Sequence, residues 1–250
     1  MSPETSVIEA PSCTTAVILA GGLGTRLRSV VADKPKALAS VSGRPFLEYV
    51  FDQLVEAGIK NAVICVGHLA EQIESHFGNT YRGIAISYSR EKSLLGTAGA
   101  LRYALELIKT DYLLILNGDS YTKFSFEDFA RFHFAKGAKA SMLLTSVPDA
   151  RRYGQVKLDA QQQILSFEEK GLGEENGWIN AGVYLIHRSL IQKLPLGRNM
   201  SLEREVFPQW IGPDFCGHCA QEAVFIDIGT PQSFAQAQEL FSGIHASIQR

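Results

Sequence analysis

The first chemistry-bearing feature of this 250-residue chain is a glycine-rich turn flanked by two cations. The apolar run Ala16-Val17-Ile18-Leu19 has the character of a buried parallel strand. It opens through Ala20 into Gly21, Gly22 and Gly24, where a backbone without Cβ atoms can wrap around a phosphate and offer its amides. Arg26 and Lys36 stand on either side, and Pro35 stiffens the chain before the lysine. Amide donors at close range, with fixed positive charge beside them, suit an anion whose charge grows during reaction. Two common phosphate loops are excluded. The pattern Gly-x-x-x-x-Gly-Lys-Ser/Thr is absent. A dinucleotide fingerprint fails because Leu27 stands where its third glycine belongs, and because the second strand, Ala62 to Val66, ends in Gly67-His68 without an acid for a ribose.

Two acids also close apolar strands, in Leu113-Leu114-Ile115-Leu116-Asn117-Gly118-Asp119 and Phe225-Ile226-Asp227-Ile228-Gly229-Thr230-Pro231. An acid at that position faces the crevice where open α/β sheets bind ligands. An aspartate capping the turn Asp119-Ser120 accounts for the first of them equally well. The six histidines show no metal spacing. Cys216-Gly-His-Cys219 is a single Cys-x-x-Cys with no second pair of ligands, and reads as reduced thiols on a loop; Cys65 reads as a small core residue.

Gly21-Gly22-Leu23-Gly24-Thr25-Arg26-Leu27 followed by Lys34-Pro35-Lys36 resembles the signature of the sugar-nucleotide pyrophosphorylases, nucleotidyltransferases that act on sugar 1-phosphates. The resemblance runs from about residue 14 to 242. It implies that Ala20, Gly21, Gly22, Gly24 and Thr25 hold the triphosphate, with Gly96 and Thr97 of Leu95-Gly96-Thr97-Ala98-Gly99 over the base and sugar. It implies that Arg26 stabilises departing pyrophosphate, that Lys36 holds the α-phosphate, and that Asp119 and Asp227 share one Mg²⁺. Phe167-Glu168-Glu169-Lys170 resembles the family's Glu-Lys pair, which would give sugar hydroxyls to Glu169 and the sugar phosphate to Lys170. Asn180 in Trp178-Ile179-Asn180-Ala181-Gly182, with Tyr153 and Gly154, would complete the sugar site. Ser40 stands where relatives often carry another proline, which touches local loop geometry alone.

Within the family, the compact length and the segments Arg152 to Val156, Ile164 to Lys170, Ile179 to Tyr184, Ser201-Leu202-Glu203 and Phe225 to Pro231 are most similar to members that join GTP to D-glycero-α-D-manno-heptose 1-phosphate. Such GDP-heptose feeds bacterial capsule, lipopolysaccharide or S-layer glycans. Mannose 1-phosphate with GTP, or glucose 1-phosphate with dTTP, CTP or UTP, are the alternatives; a non-catalytic module of the same fold is a third. Guanine needs an acceptor for its N1–H and N2–H donors, and Glu91 or backbone carbonyls could supply it.

These residues need a frame. Strand-like runs at 15–20, 62–66, 84–88 and 112–116 alternate with helical patterns near 45–58, 69–77 and 98–109. A helix near 126–136 leads to a strand at 139–146. Strands at 155–158, 163–168, 181–187 and 222–227, with helices near 201–210 and 231–241, follow. The rhythm gives an α/β class: one Rossmann-like domain with a mixed, mostly parallel sheet and helices on both faces. Residues 1–13 read as a flexible tail and 14–250 as the domain, with 14–146 on the nucleotide side and 147–250 on the sugar side. No hexapeptide repeat marks a C-terminal β-helix. The net charge of -2 gives no electrostatic case for nucleic acid or membrane, and the polar N-terminus lacks a secretion signal, so a cytoplasmic enzyme with small-molecule substrates is expected. Self-association is left open.

Overall fold

The computed structural model describes residues 10, 12–27, 30–31, 33–147, 149–168, 176–220 and 223–248. In chain order the elements are β1 (Thr14–Leu19), β2 (Ser40–Val41), β3 (Arg44–Pro45), α1 (Phe46–Glu56), β4 (Asn61–Val66), α2 (Ala70–Phe77), β5 (Thr80–Tyr81), β6 (Ile84–Arg90) and α3 (Gly96–Ala104). They continue with β7 (Tyr112–Asn117), β8 (Ser120–Thr122), α4 (Phe126–Lys136), β9 (Ala140–Ser146), β10 (Gln155–Leu158), β11 (Ile164–Glu168), β12 (Trp178–His187) and α5 (Arg188–Gln192). The last are α6 (Phe207–Trp210), β13 (Phe215–Ala220), β14 (Phe225–Asp227) and α7 (Pro231–Ile248).

One sheet carries the molecule. Its order is β11-β10-β12-β7-β1-β4-β6-β5, with β9 on β12 and β13 on β9. β7, β1, β4 and β6 are mutually parallel, whereas β12 joins β7 and β9 antiparallel. The sheet thus runs unbroken from the first half of the chain into the second. β1 is apolar from Ala16 to Leu19, as a strand buried on both faces requires, and its first two residues, Thr14 and Thr15, are buried as well. Ala16 and Ile18 enter the core layer formed with α1, α2, α4 and α7; Val17 enters the opposite layer, with α3, α5 and α6. Period-2 alternation splits one short strand between two cores.

Local signals set the helix limits. Ser125 caps α4 by accepting from the Asp128 amide, and Gly137, at φ +61, ends it. Several boundaries differ from the sequence reading. The helix expected near 98–109 is α3 followed by a 3₁₀ turn, Leu105–Leu107, and the helix expected near 231–241 runs on to Ile248. The helix expected at 201–210 begins as a π-helical turn, Leu202–Val206, before α6. The strand expected over 181–187 starts at Trp178, and that expected over 222–227 is Phe225–Asp227. Cys216 and Cys219 lie not on a loop but on β13, paired in parallel with β9. The expected tail is held at its end, where Ala10 is buried in the core and the Cys13 carbonyl accepts from the Tyr112 amide. Among the described residues no helix is long and apolar enough to cross a membrane.

Candidate active site

β1 lies between β4 and β7, and all three run the same way, so the turns after Leu19, Val66 and Asn117 open on one side of the sheet. The chain moves outward from β1 to β4 and β6, then returns on the far side of β1 as β7. That reversal of strand order leaves a crevice at the C-terminal ends of β1 and β7. A cavity of about 490 Å³ occupies it, a size that suits a nucleotide.

Ala20, Gly21, Gly22, Gly24 and Thr25 all line this cavity. At Gly21 a Cβ would stand 2.9 Å from Glu91 Oε1, so a side chain there would have to push the carboxylate aside. Glu91 lies on the loop after β6, where its Oε2 accepts from the Leu95 amide at 3.1 Å. Burial raises the Glu91 carboxyl above its ordinary value, and the Leu95 amide opposes the rise. Cys65 also lines the cavity, and burial pushes its thiol up to about 12, so it is an apolar wall and not a nucleophile.

Gly96 and Thr97, at the start of α3, form another wall. Gly96 is left-handed, at φ +67, and the Met200 carbonyl presses against it where a Cβ would sit. The Ala98 amide donates to that carbonyl at 2.9 Å. α3 starts at Gly96 after Leu95, which gives it no side-chain cap, and Thr97 lies within its first turn. Thr97 Oγ1 accepts from the Leu202 amide at 2.7 Å and donates to Glu203 Oε2 at 3.0 Å, tying the segment before α6 to the cavity rim. Asn199, on the same segment, donates to the Leu94 carbonyl at 2.8 Å and lines the cavity.

A second recess of about 250 Å³ shares Arg26, Lys36, Asn117, Asp119 and Gly229 with the first. A two-stranded ribbon builds it: β14 pairs with β8, setting Asp227 opposite Ser120, and the Ile228 amide donates to the Asp119 carbonyl at 2.9 Å. This ribbon brings together two acids that are remote in sequence. Asp119 Oδ2 receives Lys36 Nζ at 2.6 Å. Asp227 Oδ1 accepts from the Gly229 amide at 2.8 Å and Ser233 Oγ at 3.2 Å. At Gly229 a Cβ would fall 2.8 Å from Asp227 Oδ1, 3.4 Å from Lys36 Nζ and 3.6 Å from Arg26 Nη2, so acid and both cations crowd one point.

Asn180 lines this recess with its amide fixed from behind. Oδ1 accepts from the Gly182 amide at 2.9 Å and Nδ2 donates to the Tyr184 hydroxyl at 2.8 Å. One N–H and one lone pair remain for a ligand. Burial holds the Tyr184 hydroxyl well above its ordinary pKa, and the charge of Glu203 adds to the effect. Tyr153 lines the recess too, its ring edge-on to Phe225 with centroids 5.4 Å apart. Gly154 follows it without lining either cavity. Glu168 pairs with Lys157 at 2.6 Å, while Glu169 and Lys170 lie outside the described residues. Asn117, Ser120 and Ser233 line the recess and escaped sequence reading. Asn117 stands directly before Gly118-Asp119, and Ser233 three residues past Thr230, a helix-capping spacing; those were the available signals.

The donor set fits a hard divalent cation. Asp119 Oδ1 and Asp227 Oδ2 take no hydrogen bond among the described residues, and both side chains face the shared recess. No cluster of three or more His, Cys, Asp or Glu side chains converges anywhere among the described residues, so the protein's own offer here is the two carboxylates. Two carboxylates, with phosphates and water for the remaining positions, is the coordination Mg²⁺ favours.

A mixed, mostly parallel sheet with a glycine turn and two acids at one crevice is the arrangement expected of a nucleotidyltransferase. The chain belongs to the nucleotidyl transferase family, whose profile matches residues 15–242. It is 36% identical over 90% of its length, and 96% of the relative's, to a D-glycero-alpha-D-manno-heptose 1-phosphate guanylyltransferase of Aneurinibacillus thermoaerophilus. It is 32% identical over 93% of its length to a mannose-1-phosphate guanylyltransferase of Mycobacterium tuberculosis, 66% of which is covered. The crystal structure of HddC from Yersinia pseudotuberculosis complexed with GMP-PN matches it with a TM-score of 0.80 and 31% identity, over 91% of this chain and 99% of that one. Members of the family generally use a divalent metal.

Proposed function

We propose that this chain transfers GMP from GTP to D-glycero-α-D-manno-heptose 1-phosphate, giving GDP-heptose and pyrophosphate. The observation that carries the reaction class is the meeting of Arg26, Lys36, Asp119 and Asp227 at the junction of two recesses, beside the glycine turn. The heptose-enzyme relative supports the particular substrates, since it is matched over nearly its whole length.

An oxygen of the sugar phosphate attacks the α-phosphorus of GTP. A P–O bond forms there while the bond to the β-phosphate oxygen breaks, and pyrophosphate leaves with that electron pair. No protein nucleophile is needed, so catalysis rests on positioning and charge. Amides of the Gly21–Thr25 turn cradle the triphosphate, Arg26 receives the departing pyrophosphate, and Lys36 turns onto the α-phosphate. Asp119 and Asp227 would hold Mg²⁺, which would supply positive charge against the phosphates. Glu91 accepts from the guanine edge. Asn180 and Tyr153 orient the sugar, and Glu169 and Lys170 complete its site. The reaction belongs in the cytoplasm, with its nucleotide supply.

Pyrophosphate release with Mg²⁺ tests this, crossing GTP, ATP, UTP, CTP and dTTP against heptose, mannose and glucose 1-phosphates. The expected result is highest kcat/KM for GTP with the heptose phosphate. Preference for mannose 1-phosphate would move the assignment to the other guanylyltransferases.

A further inference from the structure

One oxygen of Asp119 is already engaged in the free protein. Lys36 Nζ lies 2.6 Å from Asp119 Oδ2, a short charge-assisted contact. The lysine side chain keeps 13% exposure and the aspartate 47%. An ammonium withdrawn that far from water needs a counter-charge, and Asp119 supplies it. Around Gly229, Asp227 and Arg26 join the same crowd. Two acids and two cations therefore balance before any substrate arrives. A divalent cation entering this free site must displace an ammonium from its own ligand while facing a guanidinium. An incoming polyphosphate changes the balance, because it offers the ammonium another anion and releases the carboxylate.

We propose that Lys36 holds the cation position on Asp119 in the free protein, so that the divalent metal enters with the nucleotide's phosphates and not ahead of them. This rests on the reading of Asp119 and Asp227 as the metal carboxylates. The flexible stem of Lys36 lets one ammonium serve Asp119 first and the α-phosphate afterwards. Metal and nucleotide then raise each other's affinity through the release of a single ion pair.

Titrating the free protein with Mn²⁺, followed by electron paramagnetic resonance, tests the idea without turnover. Wild type should bind Mn²⁺ weakly. Lys36→Met and Lys36→Gln should each bind it about tenfold more tightly or better, the consequence of removing one contact charge. Adding Asp119→Asn to Lys36→Met should abolish the gain. Equal affinity in wild type and both neutral variants overturns the proposal. A second arm records the Mn²⁺ spectrum of protein saturated with a non-hydrolysable GTP analogue. If Asp119→Asn leaves that spectrum unchanged, Asp119 is no metal ligand, and the underlying reading falls along with the proposal. If it alters the spectrum while the neutral variants gain nothing, the place-holding role alone falls.

Discussion

The two recesses that share Arg26 and Lys36 are built by different means. The larger recess is lined along its glycine turn and at the start of α3 largely by backbone: the Met200 carbonyl leaves no room for a side chain at Gly96, and at Gly21 a Cβ would press on the Glu91 carboxylate. The acid side consists of side chains, each steadied by a neighbour. Asp227 leans on Gly229 and Ser233, Asn180 on Gly182 and Tyr184, and Asp119 on Lys36. A backbone cradle responds to phosphate shape, which every nucleoside triphosphate presents. A recess of oriented side chains can be altered one residue at a time. On the proposed function, the first region would hold the triphosphate, the second would choose the sugar, and the charged groups between them would carry the chemistry.

The sharpest way to break that contrast is to remove an acid. Asp227→Ala should lower kcat by about 10³-fold, the scale of losing a fixed electrostatic group, while circular dichroism stays native. A loss below tenfold would detach Asp227 from the chemistry. Next, Gly229→Ala places a methyl against Asp227, Lys36 and Arg26 and should cost about 10²-fold in kcat/KM. GTP binding by calorimetry should change little if the glycine turn works independently.

A milder change probes the side-chain recess alone. Tyr184→Phe deletes the hydroxyl behind Asn180. KM for the sugar 1-phosphate should rise about tenfold with KM for GTP unmoved, the effect of one lost buried hydrogen bond. An equal rise in both would show a general packing defect, because Tyr184 is fully buried.

The smallest effect concerns a region remote from both recesses. His133 is fully buried on α4, with Nδ1 2.8 Å from Ser141 Oγ and Nε2 without a hydrogen-bond partner among the described residues, near Tyr112 and His187. Burial, followed by the charge of His187, lowers its pKa from 6.5 to about 4. Between those values the unfolded chain takes up a proton and the folded one does not, so stability falls as pH drops from 6.5 towards 4. By pH 5.5 the loss should be about 1 kcal/mol in urea unfolding, and His133→Gln should lose less over the same interval.

Much of this was legible in sequence where a single short segment carries both element and chemistry. The turn from Ala20 to Thr25 and the two strand-ending acids line the recesses as their positions suggested. What escaped depends on pairing between distant segments. β8 is three residues long and becomes a strand by pairing with β14, yet that pairing sets Asp227 beside Asp119. β13 was hidden by Cys216-Gly217-His218-Cys219, which has loop-like composition; a glycine fits there because a Cβ would strike Leu144 and Leu158 side chains. The Thr97 hydroxyl is taken by Glu203 and the Leu202 amide, residues that no local pattern links to it.

The central claim is that one pocket serves both reactants. A crystal structure with Mg²⁺, a non-hydrolysable GTP analogue and D-glycero-α-D-manno-heptose 1-phosphate tests it most directly. The account predicts the metal on Asp119 and Asp227, Lys36 on the α-phosphate, and the sugar phosphate poised in line from the Asn180 side. A metal held away from both acids, or a sugar bound outside the recess of Asn180 and Tyr153, would contradict it.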